Sequence, residues 1–177
     1  MSAIIEDAKR ETEARTAPYT MPAGARIGHV HLKVAELERS LRFWRDLIGL
    51  EVQQRIGDQA VFLSAGGYHH HIALNTWESA GGSPPGFGST GLYHVALLLP
   101  DRQALARALK QLVEAGWPLE GASDHGVSEA LYLRDPDGNG VELYRDRPRE
   151  DWPRLEDGRL KMCTKRLDLK SLLAEAG

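Results

Sequence analysis

The sequence predicts an α+β fold in which two tandem β-α-β-β-β modules form one half-open β cup with helices packed outside. Three observations predict it: an internal repeat, an amphipathic helical segment at the same place in each copy, and a hairpin motif near the end of the second copy. A chain of 177 residues is long enough to bury one core shared by two such modules.

The internal repeat aligns His29 with His94 and Val30 with Val95. In each copy a strand-like segment is followed by a segment whose apolar residues recur at spacings of three and four, the pattern of an amphipathic helix. Asp101 comes directly before the second of these segments and is a suitable N-cap residue. Each copy is therefore predicted to begin with a strand and a helix.

Short strand-like segments follow each helix. They read EVQQRI, AVFLSA and HHHIALNTW in the first half, and ALYLRD and GVELYRD in the second. The last two are joined by DPDGNG at residues 135–140, which favours a tight hairpin.

The repeat divides the chain into three parts. We predict an N-terminal extension at residues 1–25, a domain at residues 26–146 with modules at about 27–77 and 92–146, and a C-terminal tail at residues 147–177. The tail contains LDLKSLLAEA, which is expected to form a short closing helix.

Composition excludes several classes of function. The net charge of −3 gives no reason to expect nucleic acid or an anionic membrane as a partner. The first residues lack the apolar core of a signal peptide, and no run approaches the ~20 apolar residues of a membrane span. We therefore expect a cytoplasmic protein. Its single cysteine excludes an internal disulfide, so any metal must be held by His, Asp or Glu.

Strand alternation brings two histidines and a glutamate to one candidate metal site. In RIGHVHLKV, His29 and His31 lie on the face opposite the apolar residues, so both should point into the cup. His94 is the counterpart of His29 in the repeat. Glu142 lies between apolar residues of the last strand, where a carboxylate is costly unless it is paired or bound to a cation.

His29, His94 and Glu142 therefore form a candidate set of two imidazoles and one carboxylate. Such a set suits a first-row divalent metal with open coordination positions. Two alternatives stay open at this point. The histidines could be hydrogen-bonded core residues, and zinc hydrolases use the same donor types.

The paired modules, each with an early histidine and with Glu142 before Tyr-Arg-Asp in the last strand, resemble the vicinal oxygen chelate superfamily. That superfamily includes glyoxalase I, fosfomycin-resistance enzymes, bleomycin-binding proteins and extradiol catechol dioxygenases. The resemblance covers roughly residues 27–146.

Within this superfamily, further motifs are similar to those of small single-domain catechol 2,3-dioxygenase-like proteins. The segment HHIAL, which begins at His70, matches their His-x-(aliphatic)-Ala pattern, and His125 belongs to a matching His-Gly pair. Tyr132 lies three residues before an Asp-Pro pair and ten residues before Glu142, as in that family.

The resemblance implies an oxidoreductase of aromatic catabolism that cleaves a catechol-type diol beside its hydroxyls with O2. It implies iron(II) as the metal, with manganese(II) as the alternative. His70 would be the acid/base group, since a histidine with a reference pKa near ~6.5 can accept a proton from the diol. His125 and Tyr132 would hydrogen-bond the substrate oxygens, and a packing role for Tyr132 is the alternative.

The histidine triplet, His69 to His71, reads as the start of a strand. Adjacent strand residues alternate between faces, so we expect His70 to face the pocket and the other two to face away. The alternative is that all three are hydrogen-bonded edge-strand residues. His31 is expected either to line the pocket or to support a ligand by a hydrogen bond.

Two rival functions remain open on the sequence alone. A glyoxalase-like isomerase or lyase resembles this chain, but those enzymes take a fourth ligand from the last strand of the first half, where this chain offers Ile72 or His71 and no acid. A non-catalytic small-molecule binding protein of the same fold should lack the metal ligands. The sequence does not specify the diol, and a homo-oligomer is compatible with it because this superfamily often pairs or swaps modules.

Overall fold

The computed structural model describes residues 18–177, so most of the predicted N-terminal extension lies outside the described residues. The described chain forms two β-α-β-β-β modules in succession, and a tail follows the second. None of its helices in this range is both long and apolar enough to cross a membrane.

The first module builds a four-stranded sheet. Its elements are β1 Val30–Lys33, α1 Leu37–Leu41, a π-helical continuation Arg42–Leu47, β2 Glu51–Ile56, β3 Ala60–Ser64 and β4 Ile72–Asn75. The strand order is β1-β4-β3-β2, in which β1 and β4 are parallel and the other pairs are antiparallel. The wider π-helical turn lets the consecutive residues Phe43 and Trp44 both reach the core.

The second module and the tail build a five-stranded sheet. The elements are β5 Val95–Leu98, α2 Arg102–Glu114, β6 Gly121–Asp124, β7 Ser128–Arg134, β8 Gly140–Asp146, a 3₁₀ turn Arg149–Asp151, β9 Lys165–Arg166 and α3 Leu169–Leu173. The strand order is β5-β8-β7-β6-β9, in which β5 and β8 are parallel. The two sheets do not close into a barrel, so the predicted half-open arrangement is confirmed.

Several local predictions can be compared with these elements. The side chain of Asp101 accepts a hydrogen bond from the backbone N–H of Ala104 at 2.7 Å, which confirms the predicted N-cap of α2. The closing helix of the tail is also present as α3. The strands β6 and β9 were not predicted, because GASD and KR show neither apolar alternation nor β-branched residues.

The strand predicted to begin at the histidine triplet begins after it. β4 begins at Ile72, and His69 and His70 lie in the irregular connection after β3. Gly66 and Gly67 turn the chain there with φ of 64° and 72°, a conformation that glycine adopts without strain.

A buried carboxylate on the β7–β8 turn fixes the second module to the first. Asp137 accepts hydrogen bonds from the backbone N–H of Ala35 at 3.0 Å and from Oγ of Ser40 at 3.0 Å, and it pairs with Arg39. These partners lie just before and within α1. The tip of one module's hairpin is therefore bound to the other module's helix, above a single apolar core that both modules share.

A close backbone approach positions the start of β5 beside β8. A Cβ atom placed on Gly140 would lie only 2.0 Å from the carbonyl oxygen of Tyr93. Any side chain at this position would force the strands apart, so glycine is required. This approach brings His94 next to β8.

Candidate metal centre

His94 and Glu142 are in direct contact on the second sheet. His94 comes immediately before β5, and Glu142 projects from the face of β8 opposite to the buried Val141 and Leu143. The Nε2 of His94 lies 2.9 Å from Oε2 of Glu142, whose side chain is only 12% exposed. A largely buried carboxylate is thus paired with an imidazole nitrogen.

Tyr132 extends this contact on the neighbouring strand. It lies directly opposite Glu142 in the β7–β8 register and donates a hydrogen bond from its hydroxyl to Oε1 of Glu142 at 3.1 Å. Burial, and then the charge of Glu142, raise the pKa of Tyr132 to about 12. The hydroxyl therefore keeps its proton at neutral pH and acts as a donor.

His125 lies at the far end of the same chain of contacts. Its Nε2 is 2.7 Å from the hydroxyl of Tyr132, and its Nδ1 is 2.9 Å from the backbone carbonyl of Cys163. Because a carbonyl can only accept, Nδ1 carries a proton and donates it there. The tail thus orients His125, a residue of the candidate site. No local pattern around Cys163 indicates this contact, so it could not be predicted from sequence.

His29 and His70 form a second pair, on the first sheet. Their ring centroids lie 4.3 Å apart, and the ring of Phe62 lies 5.1 Å from that of His70. Burial, and then the neighbouring His29, lower the pKa of His70 from its ordinary value. The imidazole of His70 is therefore neutral at pH 7 and can accept a proton.

The other two histidines of the triplet differ from each other. His71 stacks on Tyr68 with a centroid distance of 4.8 Å, and its Nδ1 accepts a hydrogen bond from the N–H of Ala65 at 3.3 Å. Nδ1 of His69 lies 2.8 Å from Nδ1 of His70. The expectation that His69 faces away from His70 is therefore wrong, because the triplet is not a strand and its side chains do not alternate.

The structure brings together part of the predicted metal set. His94 and Glu142 touch each other, whereas His29 lies against His70. In residues 18–177 no cluster of three or more His, Cys, Asp or Glu side chains is arranged to hold a metal ion. The three-residue set therefore stays a prediction.

The spacing of the contacting pair fits a shared metal. Two ligand atoms that each lie about 2.1 Å from one ion, at right angles, are about 3.0 Å apart. The His94 and Glu142 atoms are 2.9 Å apart, and they are an imidazole nitrogen and a carboxylate oxygen, both common metal donors.

The strand registers show which residue of the first module corresponds to Glu142. β1 pairs with β4 as β5 pairs with β8, and in this register the counterpart of Glu142 is Ala73. Ile72 or His71 was expected near this place, and the register puts the position one residue after Ile72. Phe62 lies opposite Ala73, as Tyr132 lies opposite Glu142, so Phe62 is the counterpart of Tyr132. The first module therefore offers no acid at this position.

A small cavity borders the second-module contacts. It has a volume of about 200 Å³, and His94 and Tyr132 are among the residues that line it. This volume is below the ~300 Å³ at the lower end of ordinary ligand pockets. It is suited to a small molecule or to one end of a larger one.

Comparison with protein families gives one match that covers most of the chain. The model of the glyoxalase/bleomycin resistance protein/dioxygenase superfamily matches residues 26–143. This range contains both modules as far as β8.

Individual relatives are also similar. A catechol-2,3-dioxygenase of Bacillus subtilis (strain 168) is 47% identical over 151 residues, which are 85% of this chain and 52% of that protein. A manganese-dependent 2,3-dihydroxybiphenyl 1,2-dioxygenase of Geobacillus genomosp. 3 is 32% identical over 143 residues, which are 77% of this chain and 42% of that protein. The chain thus spans about half the length of these curated relatives.

Among solved structures, a glyoxalase/dioxygenase from Nostoc punctiforme has a similar fold. The TM-score is 0.61 at 19% sequence identity, and the match covers 76% of this chain and 100% of that one. At this identity the likeness shows the fold alone.

Proposed function

The chain belongs to the glyoxalase/bleomycin resistance protein/dioxygenase superfamily, and within it we propose that the chain is a metal-dependent extradiol dioxygenase acting on a catechol-type aromatic diol with O2. One observation carries the proposal: an unbroken line of contacts runs from His94 through Glu142 and Tyr132 to His125. The 47% identity to a catechol-2,3-dioxygenase supports it.

We propose that His94 and Glu142, together with His29, hold the metal. When bound, the metal would supply open positions for the two neighbouring oxygens of the diol and for O2. Iron(II) is our first choice. Manganese(II) is the alternative, since the Geobacillus relative is named as manganese-dependent.

His70 is the proposed proton acceptor. Its neutral imidazole would take a proton from one hydroxyl of the diol as the diol binds, and the electron pair of the broken O–H bond would stay on that oxygen. The contact with the ring of His29 places His70 beside a proposed ligand.

Tyr132 and His125 are the proposed hydrogen-bonding residues. The hydroxyl of Tyr132 lies within hydrogen-bonding distance of Nε2 of His125 and of Oε1 of Glu142. Tyr132 therefore contacts the proposed ligand Glu142 and links His125 to it. They would hold the substrate oxygens in place while the ring opens.

A glyoxalase-like isomerase is less well supported by the geometry. Such an enzyme would need a further ligand from β4, and the residue in the place of Glu142 is Ala73, which is fully buried. A methyl group cannot bind a metal.

Metal analysis and oxygen uptake test the proposal. Protein purified without oxygen is expected to contain iron or manganese, and to consume O2 when catechols are added. Turnover of the adduct of methylglyoxal and glutathione, with catechols inert, would instead establish the isomerase.

A further inference from the structure

A histidine on the open face of the first sheet is not used by the proposed chemistry. His31 lies on β1, two residues after His29, which comes just before this strand, and it is exposed. At about 3.3 Å per residue, the two positions are separated by about 6.6 Å along the strand. This is comparable to the span between the hydroxyl end of a catechol and a substituent on the opposite side of its ring.

Asn75 fixes which nitrogen of His31 carries the proton. Oδ1 of Asn75 accepts a hydrogen bond from the backbone N–H of Trp77 at 3.1 Å, so the other end of the amide is the NH₂ group. That group donates to Nε2 of His31 at 2.8 Å. Nε2 is therefore the acceptor, and Nδ1 carries the hydrogen.

The Nδ1–H of His31 is available for a ligand. It has no hydrogen-bond partner among residues 18–177. Asn75 is buried and its backbone carbonyl is held by the N–H of Val34 at 2.9 Å, so the donor is presented on a rigid support.

Two aromatic rings lie beside the ring of His31. The ring of Trp77 meets that of His31 edge to face at a centroid distance of 5.5 Å, and the ring of Phe62 lies at 6.1 Å. Trp77 is 53% exposed, a large apolar surface for a residue at this position. Aromatic walls around one polar group are the usual composition of a small-molecule site.

The nearby charges favour an uncharged ligand group. Lys33, the next residue on this face of β1, lies 3.6 Å from the carboxylate of Glu78. The carboxylate of Glu78 offsets the charge of Lys33, and Asn75 and His31 contribute no net charge in this hydrogen-bonding arrangement.

We propose that His31, with Phe62 and Trp77, forms a subsite for an uncharged carbonyl oxygen on the ring substituent of the substrate. Together with the proposed function, on which it rests, this subsite assigns the substrate as a catechol that carries an acyl-type group across the ring from its hydroxyls.

A matched pair of ligands tests the subsite. 3,4-Dihydroxyacetophenone and 4-ethylcatechol differ in one carbonyl oxygen, which also makes the ring hydroxyls of the ketone more acidic. The subsite is therefore measured by the change in ketone preference between the unmodified protein and its variants. Their dissociation constants are measured on manganese-loaded protein without oxygen, and O2 uptake is measured separately. We expect the hydrogen bond from His31 to favour the ketone by about 2- to 10-fold, the range for one net neutral hydrogen bond.

The His31→Phe variant removes the donor and retains a ring, so the ketone preference should fall by about 2- to 10-fold. Gln53→Phe adds the same ring at an exposed place on β2 and should keep the preference. Equal affinities for the two ligands in the unmodified protein, or an unchanged preference in His31→Phe, would overturn the subsite. Tighter binding of 3,4-dihydroxybenzoate that is lost in Lys33→Met would overturn the choice of an uncharged group.

The two proposals fail in different ways. A ketone preference that depends on His31, without O2 uptake, would support the subsite and refute the dioxygenase. O2 uptake with both catechols and no preference between them would refute the subsite alone. Failure of both catechols to bind would refute both.

Discussion

Glu142 is the residue on which the candidate site depends most. Its carboxylate is largely buried and has contacts on both oxygens, from His94 on one and from Tyr132 on the other. Burying a carboxylate without compensation is costly, so these contacts keep it in place. Variants of Glu142 and of its partner Tyr132 should therefore differ in metal content and in turnover.

Glu142→Gln and His70→Ala should separate metal binding from catalysis. The amide of Gln carries no charge and binds divalent metals poorly, so the first variant should lose its metal. His70 is proposed only as a proton acceptor, so the second should retain metal and lose about 100-fold or more in turnover. Metal content and O2 uptake measure the two effects, and equal metal loss in both variants would show that the role of His70 is wrongly assigned.

Tyr132→Phe should impair turnover without releasing the metal. The variant keeps the ring and removes the hydroxyl that joins His125 to Glu142. A hydrogen bond to a charged group contributes about 1.5–3 kcal/mol, so kcat should fall by roughly 10- to 100-fold. Tyr144→Phe, on the same face of β8, is the matched control and should be nearly unchanged. Equal effects in the two variants would contradict the role of Tyr132.

At the scale of secondary structure elements, the β7–β8 hairpin has two tasks. Its strands carry Tyr132 and Glu142 opposite each other, and its turn binds the first module through Asp137. The turn thus sets where the second sheet lies relative to α1. The position of His29 relative to His94 and Glu142 therefore depends on the contacts of Asp137 with the first module.

Asp137→Asn should lower the free energy of unfolding. The carboxylate is buried and accepts from the N–H of Ala35 and the hydroxyl of Ser40 while it pairs with Arg39. An amide cannot replace all of these interactions, and we expect a loss of about 1–3 kcal/mol. Urea unfolding measures it. Asp58→Asn on the exposed β2–β3 turn should change little, and a similar loss there would refute the connection.

At the scale of the whole molecule, a network of charges ties the tail to the second module. Buried Glu129 on β7 pairs with Arg102 at the start of α2, with Arg145 on β8 and with Arg147 just beyond it. Arg102 in turn pairs with Glu175, which follows α3. The tail is therefore an integral part of the sheet that carries the site.

Asp124 should make stability depend on pH at the acid end. Burial raises its pKa, but the N–H of Gly126 and the charge of Arg147 outweigh burial and leave the pKa below its ordinary value. Its contribution is complete above the unfolded pKa of about 3.9 and is lost as pH falls through the lower folded value.

Asp124→Asn is thus expected to cost about 1 kcal/mol at pH 7, and the cost should shrink below about pH 4. Urea unfolding at pH 7, 5 and 3 measures it. A cost that stays constant down to pH 3 would contradict the lowered pKa.

The repeat, the strand-helix start of each module and the cap at Asp101 could be predicted from sequence because they depend on local periodicity and capping. The hairpin turn at residues 135–140 was also predicted from its motif, whereas the pairing of Tyr132 with Glu142 across it was not. Contacts between distant segments could not be predicted. The hydrogen bond between Asn75 and His31 depends on how β4 packs beside β1. The hydrogen bond from His125 to the carbonyl of Cys163 depends on where the tail lies.

The most direct test of the central claim is anomalous X-ray diffraction, at the manganese absorption edge, from crystals of the manganese-loaded protein. The proposed function predicts one strong peak bonded to imidazole nitrogens of His29 and His94 and to the carboxylate of Glu142. A peak bonded to other residues, or its absence from these three in metal-loaded crystals, would contradict the claim that the two modules share one metal.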